Sequence, residues 1–306
     1  RTLLMNIHTG DWDDELLFDF NIPKKILPEI KPSVFNFGST SGLDFLPDGI
    51  PIMGVAGDQQ ASLVGHRCHS PGQAKCTFGT GAFLLSHTGD YPIKSDTGLL
   101  TTMAATTGNK LQYCLEGSVF IAGAAVQWLR DGLGLFETAS ESEILSLDSD
   151  HNADIVFIPA LSGLGCPYWN SDFQGTILGL TRKSTKKEIT RAALEGVAHQ
   201  VADLLEAISA NCSNPLKILA TDGGMTENKY FNDLLAKTTG VTIQTSTNSE
   251  MTSIGAGILA GLGSGFMKLG DYNSPIKQEG KTYNPNLTSE MRLNKRNRWK
   301  KAIQAL

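Results

Sequence analysis

Apolar runs of strand length alternate with helical patterns and glycine-rich turns along the whole chain, and no other feature limits its fold as tightly. Such alternation favours an α/β architecture of packed layers, with strands in a sheet and helices laid across it. Strands are expected at 51–56, 74–78, 82–86, 155–159, 218–221 and 241–244. The longest helix is expected from about residue 186 to 210. There Ile189, Ala193, Val197, Val201, Leu204, Leu205 and Ile208 fall on one stripe, and Thr185 with Glu188 spells a capping box. Residues 73–86 read as a hairpin turning at Gly79-Thr80-Gly81. Residues 117–133 read as a helix, with Phe120, Ile121, Ala124, Trp128 and Leu129 at helical spacing. The polar stretch 138–152 reads as a surface excursion, and 289–306 as an amphipathic helix whose basic side is solvated.

Length and charge narrow the function classes. The chain's 306 residues suit one large or two ordinary domains. With 41% hydrophobic residues, 19% charged residues and a formal net charge of -5, it has the balance of a mildly acidic globular protein, which argues against nucleic acid or an anionic membrane as partner. Cys68, Cys76, Cys114, Cys166 and Cys212 form no C-x-x-C pair, so neither a disulfide framework nor a zinc site is expected; they read as reduced thiols in a cytoplasmic protein. No apolar run reaches the ~20 residues of a membrane span. The chain opens Arg1-Thr2-Leu3 without Met, as a piece of a longer protein does.

Three segments have the residues for chemistry. In 49–61 an apolar run ends in small residues and delivers Asp58 to the start of a helix, where open α/β sheets place ligands. Asp58 also reads as a plain helix N-cap, although Gln59 and Gln60 add amides that, beside a carboxylate, suit the holding of hydroxyl groups. In Thr77-Phe78-Gly79-Thr80-Gly81-Ala82-Phe83, glycines on both sides of a threonine let backbone approach a phosphate, while a tight hairpin turn explains the same residues. In Thr221-Asp222-Gly223-Gly224-Met225-Thr226-Glu227-Asn228 a strand breaks at two glycines before a helix, which suits a nucleotide or an ordinary loop. Gly255-Ala256-Gly257-Ile258-Leu259-Ala260 spells a dinucleotide fingerprint, but polar residues 246–252 do not supply the strand it needs. Its small residues are expected to let a helix pack closely.

The order of these segments, with the Gly123-to-Gln127 turn between them, resembles the FGGY carbohydrate kinases of the actin-like ATPase superfamily, from Leu4 to about Gly265. Two further runs sharpen the resemblance: 157–169, and Gly175-Thr176-Ile177-Leu178-Gly179-Leu180 followed by Glu188-Ile189 and Ala192-Ala193-Leu194-Glu195. Asn6-Ile7-His8-Thr9, Asp11-Trp12-Asp13, 57–60 and 78–83 are similar to the glycerol kinase branch rather than to the xylulose or ribulose kinases. The resemblance implies a mixed sheet flanked by helices in an actin-like (ribonuclease H-like) fold, its second domain complete and its first partial. It implies the end of an amino-terminal domain at 1–63, a carboxy-terminal domain at 64–270 with the nucleotide site, and a tail with the amphipathic helix at 271–306.

By resemblance, Asp58 is the general base, bordering glycerol with Gln59 and Phe83. Thr80 binds the phosphates of ATP, Gly123 and Gln127 line the nucleotide site, and Gly224 and Asn228 hold its distal part. The implied reaction is ATP-dependent phosphorylation of glycerol to sn-glycerol 3-phosphate. Magnesium arrives with ATP near Asp58 rather than at a protein metal motif, and the protein is expected to be a homo-oligomer. Alternatives are another FGGY sugar or polyol kinase and a non-catalytic nucleotide-binding fragment. The family's amino-terminal phosphate hairpin and its Arg-Glu substrate pair do not occur in this sequence. Residues 41–48 are acidic and lack the arginine with which bacterial glycerol kinases bind fructose 1,6-bisphosphate, so that regulation is not expected.

Overall fold

The structure is a computed structural model and describes residues 2–108, 110–273 and 280–306. The expected chain start at Arg1, and residues 274–279 of the expected tail, lie outside them. Its centre is a mixed sheet of seven strands: β1 (Ala74–Phe78), β2 (Ala82–Gly89), β3 (Leu100–Met103), β4 (Tyr113–Val119), β5 (Ile218–Asp222), β6 (Thr242–Thr245) and β7 (Thr282–Tyr283). They run in the order β7-β6-β5-β1-β2-β4-β3. β1, β5 and β6 are parallel, and the outer strands are antiparallel to their neighbours. The helices that matter for the site are α1 (Asp58–Gly65), α2 (Gly123–Gln127), α3 (Glu141–Leu147), α4 (Lys186–Asn211), α5 (Lys229–Thr239), α6 (Met251–Gly263) and α7 (Ser289–Gln304).

Strand side chains alternate between faces, and here the two faces have different covers. Cys76, Phe78, Leu84, Leu115, Leu219 and Ile243 pack with Val197, Val201 and Leu204 of α4 and with Phe231 and Leu235 of α5. On the other face Leu85, Cys114 and Ala220 meet Leu63 of α1. The expected capping box opens α4: Thr185 accepts from the Lys187 N–H and Glu188 accepts from the Thr185 N–H at 2.8 Å. Gly255 lies in α6 with no strand directly before it. A Cβ there would stand 1.7 Å from the Ala61 carbonyl oxygen, so the glycine serves the α1–α6 contact.

Four sequence expectations need correction. Residues 51–56 form no regular strand. They meet 33–40 through two isolated bridges of different register, Val34 with Gly54 and Ser39 with Pro51, and Pro51 brings no N–H to a ladder. Residues 117–119 end β4 instead of starting a helix: Gly117 sits under Leu204, where a Cβ would approach to 2.8 Å. Only 123–127 are α-helical, followed by a π-helical turn at Trp128–Gly132. The stretch 138–152 contains α3, with Ser142 and Ser146 buried. Finally, α7 does not leave its whole basic side in water: Arg296 is buried and bonds to Asp203 and, at 3.0 Å, to Glu206. The Trp299 indole and the Tyr168 hydroxyl each donate to Asp203 at 2.8 Å. All five cysteines are free, and burial pushes the Cys68 and Cys166 thiols up to about 12.

Candidate active site

Asp58 is the first helical residue of α1, and Gly57 occupies the N-cap in extended conformation. Its carboxylate is therefore not used as a cap across the first turn. Oδ1 accepts from the neighbouring Gln59 backbone N–H at 2.8 Å and Oδ2 from the Gln59 side-chain amide at 3.2 Å, and the residue is exposed. Gln59 is pinned from below, where the Lys75 ammonium donates to its Oε1 and also to Thr77 Oγ1 at 2.9 Å. Thr77 stands opposite Phe83 on β2 and opposite Asp222 on β5, so all three share the face that α1 covers. Asp58, Gln59 and Phe83, singled out from the sequence, thus lie at one end of this face, with Phe83 39% exposed.

Beneath them is a polar cluster with little access to water. Lys75 and Asp222 are 0% and 2% exposed, and Asp222 Oδ2 accepts from Ser62 Oγ at 3.2 Å and lies 3.4 Å from His66 Nε2. Burial pushes the Lys75 ammonium below its ordinary range, opposed first by the Asp222 charge. Burial likewise works against the Asp222 carboxylate, but bonds from His66 and Thr77 and the Lys75 charge outweigh it and hold it low. Sequence reading gave Lys75 and Asp222 no role. The available signal was a lone charge at an inward position of the run Ala74-Lys75-Cys76-Thr77-Phe78.

The second half of the site lies at the same ends of these strands, where β1 turns into β2 and β5 runs into the Gly223-Gly224 loop. The Gly79-Thr80-Gly81 tip is held by the start of α2, whose Gly123 N–H donates to the Gly79 carbonyl at 3.0 Å and whose Ala124 N–H donates to that of Thr80 at 3.1 Å. Glycine is required at 123, because a Cβ would stand 2.5 Å from the Gly79 oxygen. It is also required at 223, where φ is +90° and a Cβ would meet the Phe78 oxygen at 2.2 Å. Thr80, Gly123, Gln127, Gly224 and Asn228 all border one cavity of about 610 Å³. A Cβ at Gly224 would meet nothing within 4 Å, so bare backbone faces open space there. Asn228 caps α5 through its Oδ1, which accepts from the Phe231 N–H at 2.8 Å, and its amide donates to Ser142 Oγ at 3.1 Å. The cavity's outer wall is Ala139, Ser140, Ser142 and Glu143, from the stretch that sequence reading placed on the surface.

The donor set fits a nucleotide better than a resident metal. Among the described residues no three or more His, Cys, Asp or Glu side chains converge on a metal position. The exposed Asp58 carboxylate and the open backbone at Gly224 would suit a magnesium ion carried on phosphates. Among the described residues no helix is long and apolar enough to cross a membrane.

Comparison with known proteins identifies the family to which this fold belongs. Residues 1–65 match the N-terminal domain and residues 74–264 the C-terminal domain of the FGGY family of carbohydrate kinases. A glycerol kinase of Bdellovibrio bacteriovorus is 45% identical over 305 residues, 99% of this chain and 62% of that protein. One from Oceanobacillus iheyensis is 43% identical over 307 residues, 100% of this chain and 61% of that protein. The chain thus spans 61–62% of the length of these curated relatives. The crystal structure of Plasmodium falciparum glycerol kinase with ADP superposes with a TM-score of 0.91 at 35% identity, covering 100% of this chain and 61% of that one. A ligand-bound xylulose kinase from Lactobacillus acidophilus, at 23% identity and a TM-score of 0.84 over 99% of this chain and 62% of its own, shares the fold. With an actin-like ATPase fold, a mixed sheet flanked by helices and family matches along most of its length, this chain belongs to the FGGY family of carbohydrate kinases.

Proposed function

We propose that the protein carrying this chain transfers the γ-phosphate of ATP to glycerol, giving sn-glycerol 3-phosphate and ADP. The observation that carries the reading is the exposed Asp58 carboxylate, held in place by Gln59 and joined through Lys75 and Thr77 to the strand that ends in the Gly-Thr-Gly tip. Asp58 accepts the proton of a glycerol hydroxyl as that oxygen bonds to the γ-phosphorus and the bond to the bridging β–γ oxygen breaks, leaving ADP. Phe83 and Gln59 border the polyol. Thr80 bonds the phosphates, Gly123 and Gln127 border the nucleotide, and Gly224 with Asn228 holds its far end. Magnesium neutralises phosphate charge when bound. Most of the rate comes from positioning, which contributes roughly 7–11 kcal/mol in well-aligned reactions. The 45% identity to a glycerol kinase favours glycerol over the other acceptors of the family. We further propose that the protein acts as a cytoplasmic homo-oligomer.

The test is phosphate transfer by the complete protein offered glycerol, dihydroxyacetone, erythritol and xylulose, with Asp58→Asn alongside. Glycerol is expected to be turned over best, and Asp58→Asn to lose roughly 10²–10⁴-fold in turnover with ATP affinity nearly unchanged. A different preferred acceptor would reassign the substrate, and normal turnover by the variant would remove Asp58 from the role of base. The 306-residue chain by itself is expected to bind ATP weakly and to make no glycerol 3-phosphate.

A further inference from the structure

Buried lysines away from a ligand are uncommon, and Lys75 is fully buried in the middle of a strand. It carries donors and no acceptor, so the oxygen of the Gln59 amide has to face it. With the oxygen turned down toward Lys75, the amide nitrogen points the other way, where it donates to Asp58 Oδ2 at 3.2 Å. Of the two amide N–H donors, one is then committed to Asp58 and one remains for the substrate. Were the amide reversed, its oxygen would sit against the Asp58 carboxylate and its nitrogen against the Lys75 ammonium, two repulsive contacts in place of two attractive ones. Lys75 is itself held by Thr77 Oγ1 at 2.9 Å and stabilised by the charge of Asp222, the residue directly before the Gly223-Gly224 loop.

We propose that Lys75 is a positioning residue: its ammonium fixes the orientation of the Gln59 amide, and through that amide the carboxylate of Asp58. One substrate hydroxyl then finds an acceptor in Asp58 and its neighbour a donor in Gln59. That pairing favours acceptors with adjacent hydroxyl groups, one to be deprotonated and one to be held. The proposal rests on the reading of Asp58 as the base.

The experiment is a double-mutant cycle in the complete protein, with Lys75→Met, Gln59→Ala and both together, assayed for transfer to glycerol at saturating ATP. Lys75→Met is expected to lower kcat/KM for glycerol by on the order of 10²-fold, the usual effect of a small misplacement, while the KM for ATP is unchanged. In the Gln59→Ala background it should cost nothing further. An equal loss in both backgrounds, or a parallel rise in the KM for ATP, would overturn the proposal in favour of a purely structural lysine. Because Lys75→Met removes the ammonium charge that faces the buried Asp222, Lys75→Met with Asp222→Asn is run as the second variant. It is expected to fold and to show the same loss, and normal transfer by it would also overturn the proposal. Asp58→Asn separates the two readings: if it abolishes transfer and the Lys75 variants do not, only the positioning role fails. If Asp58→Asn is fully active, the base assignment fails, and the Gln59 side-chain ¹⁵N amide resonance decides the orientation. It should shift on Lys75→Met, and an unmoved resonance would sink the proposal.

Discussion

The two faces of the central sheet follow opposite rules. Toward α4 and α5 most inward positions are apolar and fully buried, among them Cys76, Phe78, Leu84, Leu219 and Ile243, with Ser86 and Thr221 as buried polar exceptions. Toward α1, the same strands place Lys75, Thr77 and Asp222 within a few residues of one another, with apolar Leu85 and Ala220 beside them. Burial on the first face is favourable for each large apolar side chain alone, at roughly 1.5–3 kcal/mol apiece. On the second face it is tolerable only because the polar groups satisfy one another, since an unpaired buried charge is strongly destabilising. One face therefore holds the fold, and the other spends part of that stability on aiming Gln59 and Asp58.

Cutting into each face separately is the strongest way to break this contrast. Leu204→Ala removes a fully buried side chain seated over Gly117 and is expected to cost about 2–5 kcal/mol in urea unfolding, with turnover per folded molecule unchanged. Asp58→Asn should do the reverse, leaving the unfolding midpoint near wild type while transfer collapses. If either variant moved both readouts alike, the division of labour between the faces would be lost.

A smaller effect sharpens the boundary between them. Gly255→Ala puts a methyl group 1.7 Å from the Ala61 carbonyl oxygen, so destabilisation at the upper end of the ~1–3 kcal/mol of overpacking is expected. Transfer should fall as well, because α1 carries Asp58. Unaltered thermal unfolding would mean that the two helices have slack.

A pH-dependent effect lies in the cap of α4, on the apolar side. Burial alone would raise the Glu188 carboxyl, but bonds from Thr185 and the Asp150 backbone bring it from 4.5 down to about 2. A lowered carboxyl stabilises the folded state fully above its unfolded value, and the contribution is lost as pH falls through the folded one. Stability should therefore drop between pH 4.5 and about 2, and Glu188→Gln should flatten that slope when unfolding is followed against pH. An unchanged slope would take the capping box out of the acid response.

What could be read from the sequence divides along the same line. The α4 stripe, its capping box and the turn at Gly79-Thr80-Gly81 are local patterns, and each appears where its spacing placed it. The residues singled out for the nucleotide, Thr80 to Asn228, lie around one cavity because glycine-rich strand ends are local signals too. What escaped depends on partners remote in sequence. Arg296 looked like one more solvated base until Asp203, 93 residues earlier, was brought against it. Ser142 and Ser146 are polar yet buried, so no hydropathy pattern disclosed α3, and with it went a wall of the cavity. Residues 51–56 have strand composition, but their pairing with 33–40 breaks between two registers.

The glycine contacts between α1 and α6 also constrain how the site can move. A Cβ at Gly65 would meet the Met251 oxygen at 2.2 Å, just as one at Gly255 would meet that of Ala61, so the two backbones touch at both places. Neither helix can roll or slide along the other without driving a carbonyl into its neighbour. The pair acts as one strut, and the first turn that bears Asp58 has no separate freedom to tilt. Any rearrangement that brings Asp58 toward or away from a phosphate has to carry α6 with it, turning about the backbone that enters the strut at Gly57 and at residues 246–250.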